Sequence, residues 1–148
     1  SQELYMSVDE VSELIKSDPN NSDLYYNLGV ASANNGQKDE AMEYYSKAIE
    51  INPNYAEALI NKAQLILDGE KEIIEEMNSL GTSNADYDRY DVLKEEKNKI
   101  YQEALPYLES ASKLRPESMD IIKTLKGIYG LLGLDAKEKE MKTILEQN

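Results

Sequence analysis

The stretch Tyr25–Pro53, "YYNLGVASANNGQKDEAMEYYSKAIEINP", carries small residues where helix cores usually carry large ones. Gly29, Ala41 and Ala48 stand among Tyr, Leu and Ile side chains, and the run ends at a proline. Residues three and four apart share one face of a helix, so the spacing predicts two helices that meet at Gly36. Small residues on facing helices let the two axes approach closely. The stretch therefore predicts a tightly packed helical hairpin.

The hairpin recurs along the chain with a period of 34 residues. Pro19 and Pro53 lie 34 residues apart, and Pro116 follows after 63 residues, which is 29 more than one period. Self-similarity at a fixed period indicates a repeat architecture. We therefore predict a single domain made of a leading half repeat (1–21), a repeat (22–55), a repeat with a 29-residue hairpin insertion (56–118) and a terminal repeat (119–148).

A helix-turn-helix unit of this length and pattern resembles the tetratricopeptide repeat. Tyr25 stands where that repeat usually has Trp, and Ser32 stands where it usually has Tyr. The segments "ALPYLE" (104–109) and "LKGIYGLLG" (125–133) are also similar to bacterial members of the family. The resemblance implies an all-α, right-handed solenoid of about seven helices, with one repeat lengthened. The residues that we expect to pack within the repeats are Tyr25, Leu28, Gly29, Ala41, Tyr45, Ala48, Pro53, Ala63, Ala104, Ala111, Pro116, Leu125 and Tyr129.

The insertion is predicted to lengthen both helices of the middle repeat into an antiparallel hairpin that projects from the solenoid. Helical periodicity continues on both sides of "SLGTSNAD", where Gly81 is the expected helix end and Ser83 or Asn84 the expected N-cap. Pro106 falls inside the second of these helices, which predicts a kink. A helix that begins at Pro106 is the alternative.

The N-terminal segment "ELYMSVDEVSELIKSDPNN" (3–21) resembles the second helix of a preceding repeat. Its apolar stripe of Leu4, Val8, Val11 and Leu14 or Ile15 would need another helix to cover it. We therefore expect the natural protein to extend upstream of residue 1.

The composition narrows the classes of function. The chain has no Cys and no His, which removes thiol chemistry and the commonest general base and metal ligand. A net charge of −13 disfavours nucleic acid and anionic lipid as partners. No apolar run is long enough to insert into a membrane, and both the bacterial cytoplasm and the cell envelope stay open as compartments. No nucleophile has a base at a recognisable spacing, so we predict no enzyme activity and no cofactor.

One segment imitates a calcium-binding loop. In "NADYDRYDVLKE", oxygen ligands stand at Asn84, Asp86 and Asp88, and Glu95 is twelfth in the run. Arg89 occupies the position where such a loop needs glycine. Since acids also favour the first turn of a helix, we expect helix capping here and no metal site.

Repeat solenoids usually bind partners on the concave surface formed by their first helices. Mixed aromatic, aliphatic and amide side chains on that surface suit an extended peptide or a helix. The predicted groove residues are Tyr26, Asn27, Val30, Asn34, Ile60, Asn61, Gln64 and Lys123. Some members of the family that the chain resembles clamp a C-terminal carboxylate with Lys and Asn side chains on this surface. Only Lys123 could serve that purpose here, so we do not expect the chain to bind chaperone tails in that way. The predicted function is a non-catalytic scaffold for a protein or peptide partner. The alternative is a homo-oligomeric assembly module that self-associates through the hairpin or the N-terminal helix.

Overall fold

The computed structural model describes residues 7–148, which fold into α-helices joined by short loops, without strands. This confirms the predicted all-α class. Leu4 of the N-terminal stripe lies outside the described residues; within them, Val11 is buried, whereas Val8 and Leu14 are partly exposed. The eight helices of the described residues are α1 (Val8–Ser17), α2 (Ser22–Asn34), α3 (Lys38–Ile51), α4 (Ala56–Asp68), α5 (Glu70–Ser79), α6 (Asn84–Leu114), α7 (Met119–Leu131) and α8 (Asp135–Glu146).

The helices group into two compact units. The first unit is Ser1–Lys62 and the second is Ala63–Asn148, so helix α4 belongs to both.

In the first unit, α2 and α3 pack through the small residues that the sequence singled out. A Cβ atom added to Gly29 would lie 2.5 Å from Cε1 of Tyr45, which leaves no room for a side chain. Ala41, Tyr45 and Ala48 are buried on the facing side of α3. Gly36 follows α2 with a φ of 75°, a left-handed conformation that glycine adopts without strain.

In the second unit, the predicted single long helix is divided into α4 and α5 at Gly69. The amide of Gly69 donates to the carbonyl of Ile66, three residues back, so the regular four-residue pattern is interrupted there. Glycine has a low helix propensity, which favours the interruption at this residue. For this reason residues 7–148 form eight helices, against about seven predicted for the chain.

Helix α6 continues for 31 residues and includes Pro106, so no helix begins at that proline. Its N-terminus is capped by Ser83, which confirms the expected position. The Ser83 side chain accepts a hydrogen bond from the Asp86 amide at 3.1 Å, and the Asp86 carboxylate accepts one from the Ser83 amide at 3.2 Å. The Ser83 hydroxyl also donates to the Asp86 carboxylate at 2.7 Å, and this bond, followed by the one from the Ser83 amide, lowers the pKa of Asp86. Asp86 therefore takes part in the helix cap within the segment that imitates a calcium loop.

Helices α5 and α6 run antiparallel. The Arg89 guanidinium donates to both carboxylate oxygens of Glu76 at 2.7 and 3.0 Å. Further from the loop, the Tyr101 hydroxyl donates to Glu70 at 2.5 Å. The residue nearer the start of α5, Glu70, contacts the residue further along α6, Tyr101. Helices α5 and α6 therefore form the predicted antiparallel hairpin.

The residues predicted to pack within the repeats occupy three kinds of position. Tyr25 is half-buried, and both Pro53 and Pro116 are exposed in the loops that follow α3 and α6. The buried ones are Leu28, Gly29, Ala41, Tyr45, Ala48, Ala63, Ala104, Ala111, Leu125 and Tyr129.

Candidate partner-binding site

Three tyrosines from different elements form a cluster in the first unit. Tyr26 lies on α2, Tyr45 on α3, and Tyr55 in the loop just before α4. The ring of Tyr26 stacks on that of Tyr55 with a centroid distance of 5.0 Å and an interplanar angle of 29°. The Tyr26 ring also meets that of Tyr45 at 5.9 Å in a tilted arrangement. Tyr26 is therefore in contact with two aromatic neighbours.

Asn61 on α4 ties this cluster together by hydrogen bonds. Its side-chain amide donates to the hydroxyl of Tyr26 at 3.3 Å and to that of Tyr45 at 3.4 Å. Burial raises the pKa of the Tyr45 hydroxyl, and the bond from Asn61 opposes part of that rise. Two of the predicted groove residues, Tyr26 and Asn61, are thus in direct contact.

The third tyrosine is oriented by a carboxylate. The Tyr55 hydroxyl donates to Asp23 at 2.6 Å, across 32 positions in the sequence. Burial raises the pKa of this hydroxyl first, and the hydrogen bond to Asp23 raises it further. The negative charges of Asp23 and Glu57 act in the same direction.

An open depression of about 400 Å³ lies beside the stacked rings. The walls combine two aromatic rings with carboxylates and side-chain amides, and no Lys or Arg is among the lining residues. Those residues are Asp23, Tyr26, Asn52, Asn54, Tyr55 and Glu57.

The remaining predicted groove residues differ in exposure and in the unit that carries them. Asn27 and Asn34 on α2 are exposed, whereas Val30 on α2 and Ile60 on α4 are half-buried. Gln64 and Lys123 are exposed as well, and both belong to the second unit.

Sequence reasoning missed the contribution of the loop that joins α3 to α4. The sequence predicts no binding role for Asn52, Asn54 or Tyr55. One signal could have found Tyr55. All 11 aromatic residues of the chain are tyrosines, and a tyrosine ring that is buried usually needs a partner for its hydroxyl.

Two other surfaces expose apolar side chains. On α6, near the tip of the hairpin, Tyr87, Tyr90 and Val92 are 58%, 45% and 48% exposed. On α1, Leu14 lines a shallow depression together with Asp9, Glu10 and Glu13.

Among residues 7–148, no group of three or more potential metal ligands lies close enough together to hold a metal ion. None of the helices described combines the length and apolarity that a membrane span requires.

Comparison with known families gives two matches to the tetratricopeptide repeat, one over residues 22–55 and one over residues 44–89. Photosystem I assembly protein Ycf3 of Rippkaea orientalis is 30% identical over 106 residues, which cover 70% of this chain and 52% of the relative. The protein of the same name from Acaryochloris marina is 38% identical over 53 residues, or 35% of this chain and 32% of the relative.

An uncharacterized protein of Methanocaldococcus jannaschii is 48% identical over 42 residues, or 28% of this chain and 49% of the relative. The chain thus spans between about a third and a half of the length of these curated relatives. Among solved structures, MamA from Desulfovibrio magneticus matches with a TM-score of 0.41 and 15% identity, over 94% of this chain and 80% of that chain. Another MamA crystal structure gives a TM-score of 0.39 and 20% identity, over 92% of this chain and 83% of that chain.

Proposed function

We propose that the chain is a non-catalytic scaffold built of tetratricopeptide repeats that binds a partner protein, since two of its segments match that repeat. Repeats of this kind present an extended surface for other chains rather than a pocket for chemistry. Two of the relatives carry names that describe assembly of a protein complex, which agrees with a scaffold role. The finer proposal is that a peptide or helix binds against α2 and the start of α4.

The tyrosine cluster is the observation that carries this proposal. Tyr26, Tyr45 and Asn61 hold one another in fixed positions, so a partner would meet a surface that is already ordered. Preorganised aromatic side chains lose little conformational freedom on binding and are frequent at the energetic centres of interfaces. Exposed Asn27 on the same helix adds an amide that can bond to a peptide backbone.

Self-association is the second candidate, and the exposed apolar side chains support it. Tyr87 and Tyr90 are one turn apart on α6, where they would present one aromatic face to a second copy. Val8 and Leu14 on α1 are also 38% and 39% exposed. Exposed aromatic and aliphatic residues on a hairpin suit helix–helix packing between chains.

Affinity capture with two paired variants tests the groove against the hairpin. Asn27→Arg/Asn34→Arg changes two exposed residues of the predicted groove on α2, and Asn78→Arg/Gln102→Arg makes a similar change, from a side-chain amide to arginine, on α5 and α6. Each pair should alter the free energy of unfolding by only a few tenths of a kcal/mol, because all four residues are exposed. We expect partners captured by the wild type to be lost with the first pair and retained with the second.

The reverse pattern would place binding on the hairpin and contradict the groove. Sedimentation of the purified chain over a range of concentrations addresses self-association separately. A mass that stays monomeric favours the scaffold. A dimer that is abolished by Tyr87→Arg, at the exposed aromatic face of α6, would favour the assembly module.

A further inference from the structure

We propose that the depression beside Tyr26 and Tyr55 binds an arginine side chain of the partner protein. This inference rests on the proposed scaffold function and gives the partner a chemical requirement, namely a cationic residue at the position that meets α2 and the start of α4. Three features of the depression carry it: the sign of its charge, the stacked aromatic pair, and the fixed orientation of its polar groups.

The depression is negative. Asp23 and Glu57 line it, no basic side chain lies among its lining residues, and the whole chain has a net charge of −13. Burial is the main cause of the raised pKa of Tyr55, and both carboxylates add to it because they disfavour a negative charge on its hydroxyl. A phosphate or an acidic peptide would be repelled here, whereas a cation would be attracted.

The aromatic pair distinguishes arginine from a simple point charge. Tyr26 and Tyr55 stack at 5.0 Å and form one wall of the depression. A guanidinium group is planar, stacks on aromatic faces and bonds to carboxylates through paired N–H donors. The combination of a tyrosine face and two carboxylates therefore matches guanidinium better than it matches the more compact ammonium of lysine.

The walls are already in place before a ligand arrives. The Tyr55 hydroxyl is held by Asp23 at 2.6 Å, and the Tyr26 hydroxyl accepts from Asn61 at 3.3 Å. Asn52 is also oriented, because its side-chain oxygen accepts from the Asn54 amide at 3.1 Å. A guanidinium would thus meet preordered acceptors and rings, so binding would require little rearrangement.

Asp23 and Glu57 also have a simpler explanation, since acidic residues stabilise the first turn of a helix. Asp120 provides a control for that explanation. Asp23 and Glu57 stand in the first turns of α2 and α4, where negative charge stabilises a helix. Asp120 takes the same repeat position in the first turn of α7 and is exposed, but it is not among the residues that line the depression. Asp120→Asn therefore removes the same charge and the same helix contribution without touching the proposed site.

The test is an NMR titration of the full ¹⁵N-labelled chain with N-acetyl-arginine amide. N-acetyl-citrulline amide is the comparison probe, since it has nearly the same shape without the charge. We expect saturable amide shifts confined to residues 23–27 and 52–57, and shifts with the citrulline probe at least about fivefold weaker at equal concentration. Equal shifts from the two probes would overturn the proposal.

The variants separate a local site from general attraction by an acidic chain. Asp23→Asn and Glu57→Gln keep the side-chain shape and should each weaken arginine binding by up to about fivefold. Asp120→Asn should change it by less than about twofold, because Asp120 is not among the residues that line the depression and an exposed charge is screened by solvent. A loss with Asp120→Asn as large as with Asp23→Asn would overturn the site. The titration contains no partner protein, so its failure would remove the arginine site and leave the outcome of affinity capture unaffected.

Discussion

The repeat hairpin α2–α3 and the inserted hairpin of α5 with the first half of α6 are both antiparallel helix pairs, but different forces hold them. In α2–α3, the helices meet at Gly29, which packs directly against the ring of the buried Tyr45. In the inserted hairpin, α5 has no buried residue, and Leu93 is the single buried side chain between residues 70 and 100.

In the inserted hairpin, polar contacts account for a larger part of the interactions that hold the two helices together. Glu76 pairs with Arg89, Glu70 accepts from Tyr101, and Ser83 with Asp86 caps the start of α6. Exposed ion pairs and caps each contribute little, and segments with few buried apolar contacts open at low free energy. We therefore expect the repeat to be the rigid part of the chain and the inserted hairpin to be the part that opens most readily. The predictions below test that difference.

Loss of Leu93 should have the largest effect. Leu93 is 1% exposed, and Leu93→Ala removes the main apolar anchor of the hairpin at a cost of about 2–5 kcal/mol. Hydrogen exchange should accelerate across residues 70–100 while the amides of α2 and α3 keep their protection. Val92→Ala, at the neighbouring exposed position, is the control and should leave exchange nearly unchanged. Equal acceleration in α2–α3 would contradict separate stabilisation of the two hairpins.

Gly29→Ala tests the close packing of the repeat. The added methyl group would lie 2.5 Å from the Tyr45 ring, so the ring must move or the helices must separate. We expect the free energy of unfolding in urea to fall by about 1–3 kcal/mol. Gly127→Ala is the matched control, because no atom lies within 4 Å of its added Cβ. In that exposed helical position alanine should instead stabilise the chain by about 0.5–1 kcal/mol. Two variants of equal stability would contradict the packing account.

Ser83→Ala should weaken the start of α6 by about 1 kcal/mol, because it removes the hydroxyl that accepts from the Asp86 amide. Exchange of the first amides of α6 should accelerate most, and the effect should decline along the helix. Thr82→Ala changes the adjacent exposed residue and serves as the control. An unchanged exchange rate in Ser83→Ala would show that the cap does not hold the hairpin.

The last prediction concerns the hydroxyls of two tyrosines, Tyr55 and Tyr101, whose effect on the pH dependence of stability is absent at neutral pH and develops only in alkaline solution. Burial and a neighbouring carboxylate raise the pKa of Tyr55 and of Tyr101 above the ordinary value of 10.0. The folded chain therefore holds these protons more tightly than the unfolded chain. The contribution of these two hydroxyls to the free energy of unfolding is complete below about pH 10 and is lost as the pH rises above that value. The urea midpoint should thus fall between about pH 10 and 11.

Tyr55→Phe and Tyr101→Phe should each reduce that fall, and Tyr87→Phe, at a 58% exposed position, controls for the loss of a hydroxyl. Because the two sites lie in different regions, hydrogen exchange at high pH can follow each one separately. A midpoint that falls equally in all three variants would contradict the assignment of the raised pKa values to these hydroxyls.

Features that depend on adjacent residues were predictable from the sequence. The left-handed glycine after α2 and the cap at Ser83 follow from turn and capping chemistry within a few positions. The division at Gly69 was not predicted, since a glycine inside a periodic pattern can either be tolerated or interrupt the helix. Pro106 shows the converse, because α6 continues through it despite the lost hydrogen bond.

The candidate site was predictable only in part. The repeat period placed Tyr26 and Asn61 on one surface, and the structure brings them together. Tyr26 is nevertheless half-buried and in contact with other rings. It therefore helps to hold that surface in place as well as contributing to it. The role of Tyr55 depends on a bond to Asp23 across 32 positions, and no local pattern specifies such a contact.

The central claim is that the surface of α2 and the start of α4 binds the partner, and hydrogen exchange of the full chain with and without a captured partner tests it most directly. We predict slower exchange at residues 23–34 and 55–62, with the amides of the inserted hairpin unchanged. Protection confined to residues 70–100 would contradict the claim and assign binding to the hairpin.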